Sequence, residues 1–125
     1  TAGGIEKIRI AENFEATMWK LDPYTIESAT IAGDELTLVV QRGGGCAQHE
    51  YTLVASRGFR ESFPVQSAVV LTHDAAGDAC KALVTDTLRF DLTPLRDLYR
   101  ADYHTQQGTI ILHLWHQERT VRYDF

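Results

Sequence analysis

Over most of its length the chain alternates apolar and polar residues with a period of two. That pattern marks half-buried β-strands and leaves little room for helices. It is cleanest near the C-terminal end. Ile110, Leu112 and Leu114 alternate with Ile111, His113 and Trp115. Beyond His116-Gln117-Glu118-Arg119, the residues Val121, Tyr123 and Phe125 alternate with Thr120, Arg122 and Asp124. Folded as a hairpin, this segment sets Leu114 against Val121, Leu112 against Tyr123 and Ile110 against Phe125, so six apolar side chains share one face.

A second hairpin is expected between residues 26–31 and 35–41, turning at Gly33-Asp34, where glycine takes a positive φ without a Cβ clash. Leu36, Leu38 and Val40 form the inward row of its second strand. Ala82, Val84, Leu88 and Phe90 repeat at every second position, with Asp86 a charged misfit in the same row. Ile8 and Ile10 mark an opening strand, and a stretch of mixed period follows through Phe14, Met18 and Trp19. One helix is legible: Thr93 as cap, Pro94 in the first turn, and Leu95, Leu98 and Tyr99 on one stripe lasting about two turns. Seven or eight strands with one short connecting helix predict an all-β fold, an antiparallel β-sandwich, with a closed barrel as the alternative.

With 125 residues the chain is expected to form a single domain, 1–125, large enough to bury a core. No internal repeat, low-complexity stretch or linker divides it. Twelve Lys and Arg against seventeen Asp and Glu leave a net charge of −5 and a pI near 5.4. Such a chain lacks the cationic field that holds a phosphate backbone, so no nucleic-acid partner is expected. No apolar run approaches the roughly 18 residues of a membrane span. The opening Thr1-Ala-Gly-Gly reads as a processed or trimmed start, which is compatible with an export signal outside the sequence.

The chemistry gathers around two strands. Residues 49–56 and 65–73, joined by the loop 57–64, are expected to pair with Tyr51 opposite Leu71, Leu53 opposite Val69, and His49 directly opposite His73. A two-residue slip keeps both histidines on the same face. An arch of loop 57–64 between two sheets is the alternative connection. Cys46 lies three residues before His49 and Cys80 seven after His73, so Cys46, His49, His73 and Cys80 are expected to meet at one end of the fold. The leading reading is a Cys46–Cys80 disulfide that clips two connections, with the histidines packed beside it. The alternative is a zinc or copper site, since two thiolates and two neutral imidazoles match a tetrahedral soft-metal centre, with Gly43-Gly44-Gly45 bringing amides near a sulfur. A third reading makes Cys46 a nucleophile with His49 or His73 as base and Asp74 or Asp78 as orienter. No helix N-terminus activates that thiol.

Other candidates have plainer explanations. Asp74-Ala-Ala-Gly-Asp78 is too sparse in carboxylates for a calcium loop and reads as a turn. Gly43-Gly44-Gly45 precedes no Lys-Ser/Thr and no helix, so it is not a phosphate cradle. His113 and His116 fall on an outer face and in a turn, and His104 in a loop. Trp115 with Ile111 forms an outer apolar strip, to be covered by the helix or another chain. Nucleophile-elbow, zincin and Walker signatures are absent, and Glu50, Asp86 and Asp91 are not paired by any pattern. The sequence therefore points to a non-enzymatic binding or accessory module, periplasmic or secreted. It carries a structural disulfide and needs no cofactor, and its partner is an unknown protein or small-molecule ligand.

Overall fold

A computed structural model describes residues 4–15 and 19–125. Met18 and the first three residues lie outside that range. Nine strands and one helix are present among the described residues: β1 (Ile5–Lys7), β2 (Arg9–Ala11), β3 (Thr25–Ala32), β4 (Glu35–Gly44), β5 (Glu50–Ser56), β6 (Val65–Asp74), β7 (Ala82–Asp91), α1 (Thr93–Tyr103), β8 (Thr109–Leu114) and β9 (Arg119–Asp124). They form two sheets, in the orders β1-β7-β4-β3 and β2-β5-β6-β8-β9. Neither closes on itself, and their inner faces pack together as a β-sandwich with one short helix.

The alternation seen in the sequence fixes which side chains face inward. Leu36, Leu38 and Val40 of β4, Leu88 and Phe90 of β7, Leu53 and Leu71 of the β5–β6 pair, and Ile110, Leu112 and Tyr123 of the β8–β9 pair are all buried in one core. Burying each large side chain is worth about 1.5–3 kcal/mol before entropy is counted, so these rows hold the two layers together.

Strand neighbours are less legible than strand faces. The sheets are mixed rather than purely antiparallel, because β1–β7, β2–β5 and β6–β8 pair in parallel. The chain leaves β6 for the opposite sheet to make β7, and α1 then returns it alongside β6 as β8. The segment from β1 to β2 serves both layers: β1 lies on β7, β2 lies on β5, and buried Ile8 between them donates its amide to Asp91 O at 3.0 Å.

Two expected registers are displaced by two residues, with faces preserved. In the C-terminal hairpin Leu112 meets Val121, Ile110 meets Tyr123 and Leu114 meets Arg119, because the turn is centred on residues 115–118 and Phe125 exchanges backbone hydrogen bonds with Gly108. In the β5–β6 hairpin Tyr51 faces His73 and Leu53 faces Leu71, which puts His49 just before the strand. An even displacement costs no burial, so alternation alone does not select between such registers.

Residues 93–103 form three turns of helix where two were expected. Thr93 is inside the helix and Leu92 stands at the cap position. The cap carboxylate is Asp91, whose Oδ1 accepts the Thr93 amide at 2.9 Å. His104 ends the helix in the left-handed conformation (φ 54°) and donates its amide to Arg100 O, which gives this loop histidine a structural task. Trp115 is packed within the chain by Phe14, edge-on at 4.4 Å between centroids, with Trp19 beyond it, rather than by the helix.

Candidate functional site

Two connections cross between the sheets at the same end of the sandwich. One joins β4 to β5 and carries Cys46 and His49; the other joins β6 to β7 and carries Asp78 and Cys80. Cys46 and Cys80 form a disulfide with Cα atoms 5.8 Å apart, closing a 34-residue separation. In the chain-entropy account such a link stabilises the fold by about 4 kcal/mol. Both sulfurs are consumed by this bond. The Cys46/His49/His73/Cys80 zinc or copper reading thereby loses its thiolates, and the nucleophilic reading loses its thiol.

The strand rows explain what surrounds the clip. The inward row of β4 continues past Val40 to Arg42 and Gly44, and that of β7 runs from Leu88 to Asp86. The core thus changes from apolar to charged towards this end. Asp86 accepts from Arg42 Nε at 3.0 Å and from the Tyr51 hydroxyl at 2.7 Å. The Asp86 carboxyl is held below its ordinary value: burial works against ionisation, and the hydrogen bonds from Tyr51 and Arg42 outweigh it. The misfit noted in the sequence is therefore the partner of a buried guanidinium.

Asp78 is the hub. Its Oδ2 accepts the amides of Cys46 (3.1 Å) and Ala47 (3.0 Å) and lies 2.9 Å from His49 Nε2, while Oδ1 accepts the Cys80 amide at 3.1 Å. Its side chain has no exposed surface, and that of His49 has 1%. The hydrogen bond from His49, reinforced by the three amides, holds the Asp78 carboxyl well below the ordinary carboxylate range. Gly44 (φ 142°) lets the backbone press against this group: a Cβ there would lie 2.6 Å from both Arg42 Nη1 and Asp78 Oδ2, and 2.8 Å from His49 Nε2. The glycine run serves that close approach rather than a sulfur.

His49 and His73 meet, though not as cross-strand partners. His49 Nδ1 lies 2.8 Å from His73 Nε2, and the rings stack at 5.0 Å. Tyr51 also stacks on His73 at 4.7 Å, nearly parallel. His73 Nδ1 lies 2.8 Å from Asp22 O, and the main chain of His73 is bridged to residues 20–22 in both directions.

The acceptors decide where the ring hydrogens sit. Asp22 O only accepts, so His73 Nδ1 carries hydrogen. At His49 Nε2 an acceptor, Asp78 Oδ2, and a donor, Arg42 Nη1 at 3.1 Å, both lie within reach. Burial, aided by the nearby His49, disfavours charge on His73 and lowers its pKa from the ordinary 6.5. Every ring nitrogen of the pair is engaged, so neither imidazole offers a lone pair to a metal or substrate.

The remaining sequence candidates are scattered. The turn at residues 74–78 is closed by the Asp78 amide donating to Ala75 O (3.0 Å) and the Ala76 amide donating to Asp74 Oδ1 (2.8 Å). His113 is on the outer face of β8, and His116 occupies the turn with φ 67°. Sequence reasoning missed Arg42 and Asp22 as members of the site, while Tyr51, expected to pack on the histidines, does so. The usable signals were the charged residues that continue two apolar rows, at positions 42 and 86.

No family model and no curated protein matches the chain. Solved structures do. A NigD-like immunity protein from Bacteroides caccae aligns over 95% of this chain and 58% of its own, with TM-score 0.62 and 17% identity. A protein of unknown function from Bacteroides vulgatus aligns over 97% and 56%, with TM-score 0.56 and 15% identity. A lipoprotein-like protein from Bacteroides fragilis aligns over 98% and 70%, with TM-score 0.54 and 12% identity. These likenesses show a shared fold, and the chain spans little more than half the length of the first two.

Proposed function

We propose that the chain is a non-enzymatic binding module that works outside the cytoplasm and recognises a partner protein, with its Cys–His end serving as a structural lock. The observation carrying this reading is the Cys46–Cys80 disulfide built into a buried, fully hydrogen-bonded His49–His73–Asp78 group. Such a bond persists in oxidising compartments. A histidine pair with no free nitrogen and almost no exposed surface does no acid–base chemistry on a substrate. The lipoprotein-like and immunity-protein neighbours support an extracytoplasmic place and a protein partner. None of the described helices is long and apolar enough to cross a membrane.

The test is a thiol count on protein taken from its native cells without reductant and alkylated under denaturing conditions. Intact mass should show no alkyl group before reduction and two after it. Two alkylated cysteines before reduction would remove both the clip and the compartment argument.

A further inference from the structure

A strand at the border of a sheet leaves a row of backbone N–H and C=O groups without partners. A fold tolerates this where the row is short, bulged, charged or capped. Three borders of this sandwich fit that description. β2 leaves only residues 50–53 of β5 uncovered, a stretch that opens with the charged Glu50. β3 bulges between Ile26 and Ser28, its Ile26 amide donates to Gln117 Oε1 at 3.1 Å, and Arg119 Nη2 donates to its Ile26 and Glu27 carbonyls. β9 presents Arg119, Arg122 and Asp124.

The fourth border is different. β1 covers only Arg89–Asp91 of β7, in parallel. Asp91 O accepts the Ile8 amide at 3.0 Å, so Asp91 turns its backbone groups to the β1 side. Alternation along the strand gives Leu83, Thr85 and Thr87 the same outward aim, while the even positions bond β4. These outward groups have no backbone partner among the described residues. Side chains do not shield them. Thr85 and Thr87 carry no charge, and Leu83 is 73% exposed, with Gly43 opposite it on β4 adding nothing to cover it.

We propose that two copies of the chain pair antiparallel along this border, through residues 82–86 of β7, and join their four-stranded sheets into one. A two-fold axis necessarily runs the strand against itself. Charge and space select the register. With the axis at Val84, Leu83 lies opposite Thr85 of the second copy, each such pair exchanges both N–H···O bonds, and the two Val84 side chains meet at the closest spacing of the ladder. An axis at Thr85 sets Lys81 opposite Arg89 of the second copy and crowds β1. An axis at Asp86 sets two carboxylates face to face. An axis at Leu83 leaves Lys81, outside β7, to pair with Thr85. Residues 82–85 carry no charge that would select an acidic or basic segment, and in this register they complement themselves. About five paired residues a side fall short of a standard interface, so the dimer is a weak one.

The experiment is sedimentation velocity of the oxidised protein from about 10 µM to about 1 mM. The weight-average mass should rise from 14.0 kDa towards twice that value, and amide hydrogen exchange at Leu83 and Thr85 should slow over the same range. Thr85→Pro removes an outward amide and spares the bonds to β4, whereas Leu83→Lys changes only an exposed side chain. Each should weaken association by about tenfold or more. A monomer at the highest concentration, a dimer that Leu83→Lys leaves unchanged, or association without slower exchange at Leu83 and Thr85 would each overturn the assignment.

Discussion

The two ends of the sandwich are closed by opposite means. At the end near α1, apolar rows run almost to the surface, where Leu92 and Leu95 are buried, and one polar device finishes them. Asp34 accepts the Tyr123 hydroxyl at 2.6 Å and Arg96 Nη1 at 2.9 Å, and its side chain is 37% exposed. At the other end Arg42, Tyr51, Asp86, His49, His73 and Asp78 sit between the layers, and Asp78 is fully covered. Water shares the work at the first end and is excluded from Asp78 and His49 at the second. A carboxylate in reach of water tolerates the loss of a partner; a covered one does not.

The largest difference should appear on removing one member of each group. His49→Ala leaves the covered Asp78 carboxylate without its imidazole partner and should cost about 3–5 kcal/mol in urea unfolding of the oxidised protein. A cost below that of any change around Asp34 would mean that the buried end is not the stricter one. Opening the clip, with Cys46→Ser and Cys80→Ser together, should cost about 2–4 kcal/mol by the same assay. Among hydroxyl deletions, Tyr51→Phe should cost about 1.5–3 kcal/mol because its acceptor Asp86 is charged and part-buried. Tyr123→Phe should cost about 0.5–1.5 kcal/mol, because water reaches Asp34. Reversal of that order in paired denaturation curves would erase the contrast.

Acid should act on the locked end in two steps of the same sign. His73 has its pKa lowered on folding, so below its ordinary 6.5 the unfolded chain takes up more protons and stability falls. Asp78 also has its pKa lowered; its contribution is complete above the ordinary 3.8 and is lost as pH falls below it. Melting temperature measured from pH 8 downward should therefore decline first through the histidine range and again through the carboxylate range. His73→Gln should abolish the first decline, and an unchanged first step in that variant would assign it elsewhere.

Much of this was legible in the sequence, and the illegible parts have causes. Alternation assigned faces correctly at Leu36, Leu38, Leu53, Leu112 and Tyr123, because burial is decided by period two. It did not assign neighbours, so the parallel β6–β8 pair and both two-residue slips went unseen. Cys46 and Cys80 pair as the leading reading had it, and the histidines do meet. They meet through a connection lying outside the strands, where no periodicity constrains a ring. Arg42 and Asp86 each carried a visible sign, a charge at the end of an apolar row. Asp22 offered none, since it enters through a backbone carbonyl that any residue would supply.

Asp78 also bears on how the clip is made. It gathers the amide of Cys80, on its own connection, together with those of Cys46 and Ala47, on the other. These bonds run to backbone amides and use neither sulfur. Re-formation of the disulfide after reduction should therefore be slower in Asp78→Asn than in the parent at equal thiol reactivity.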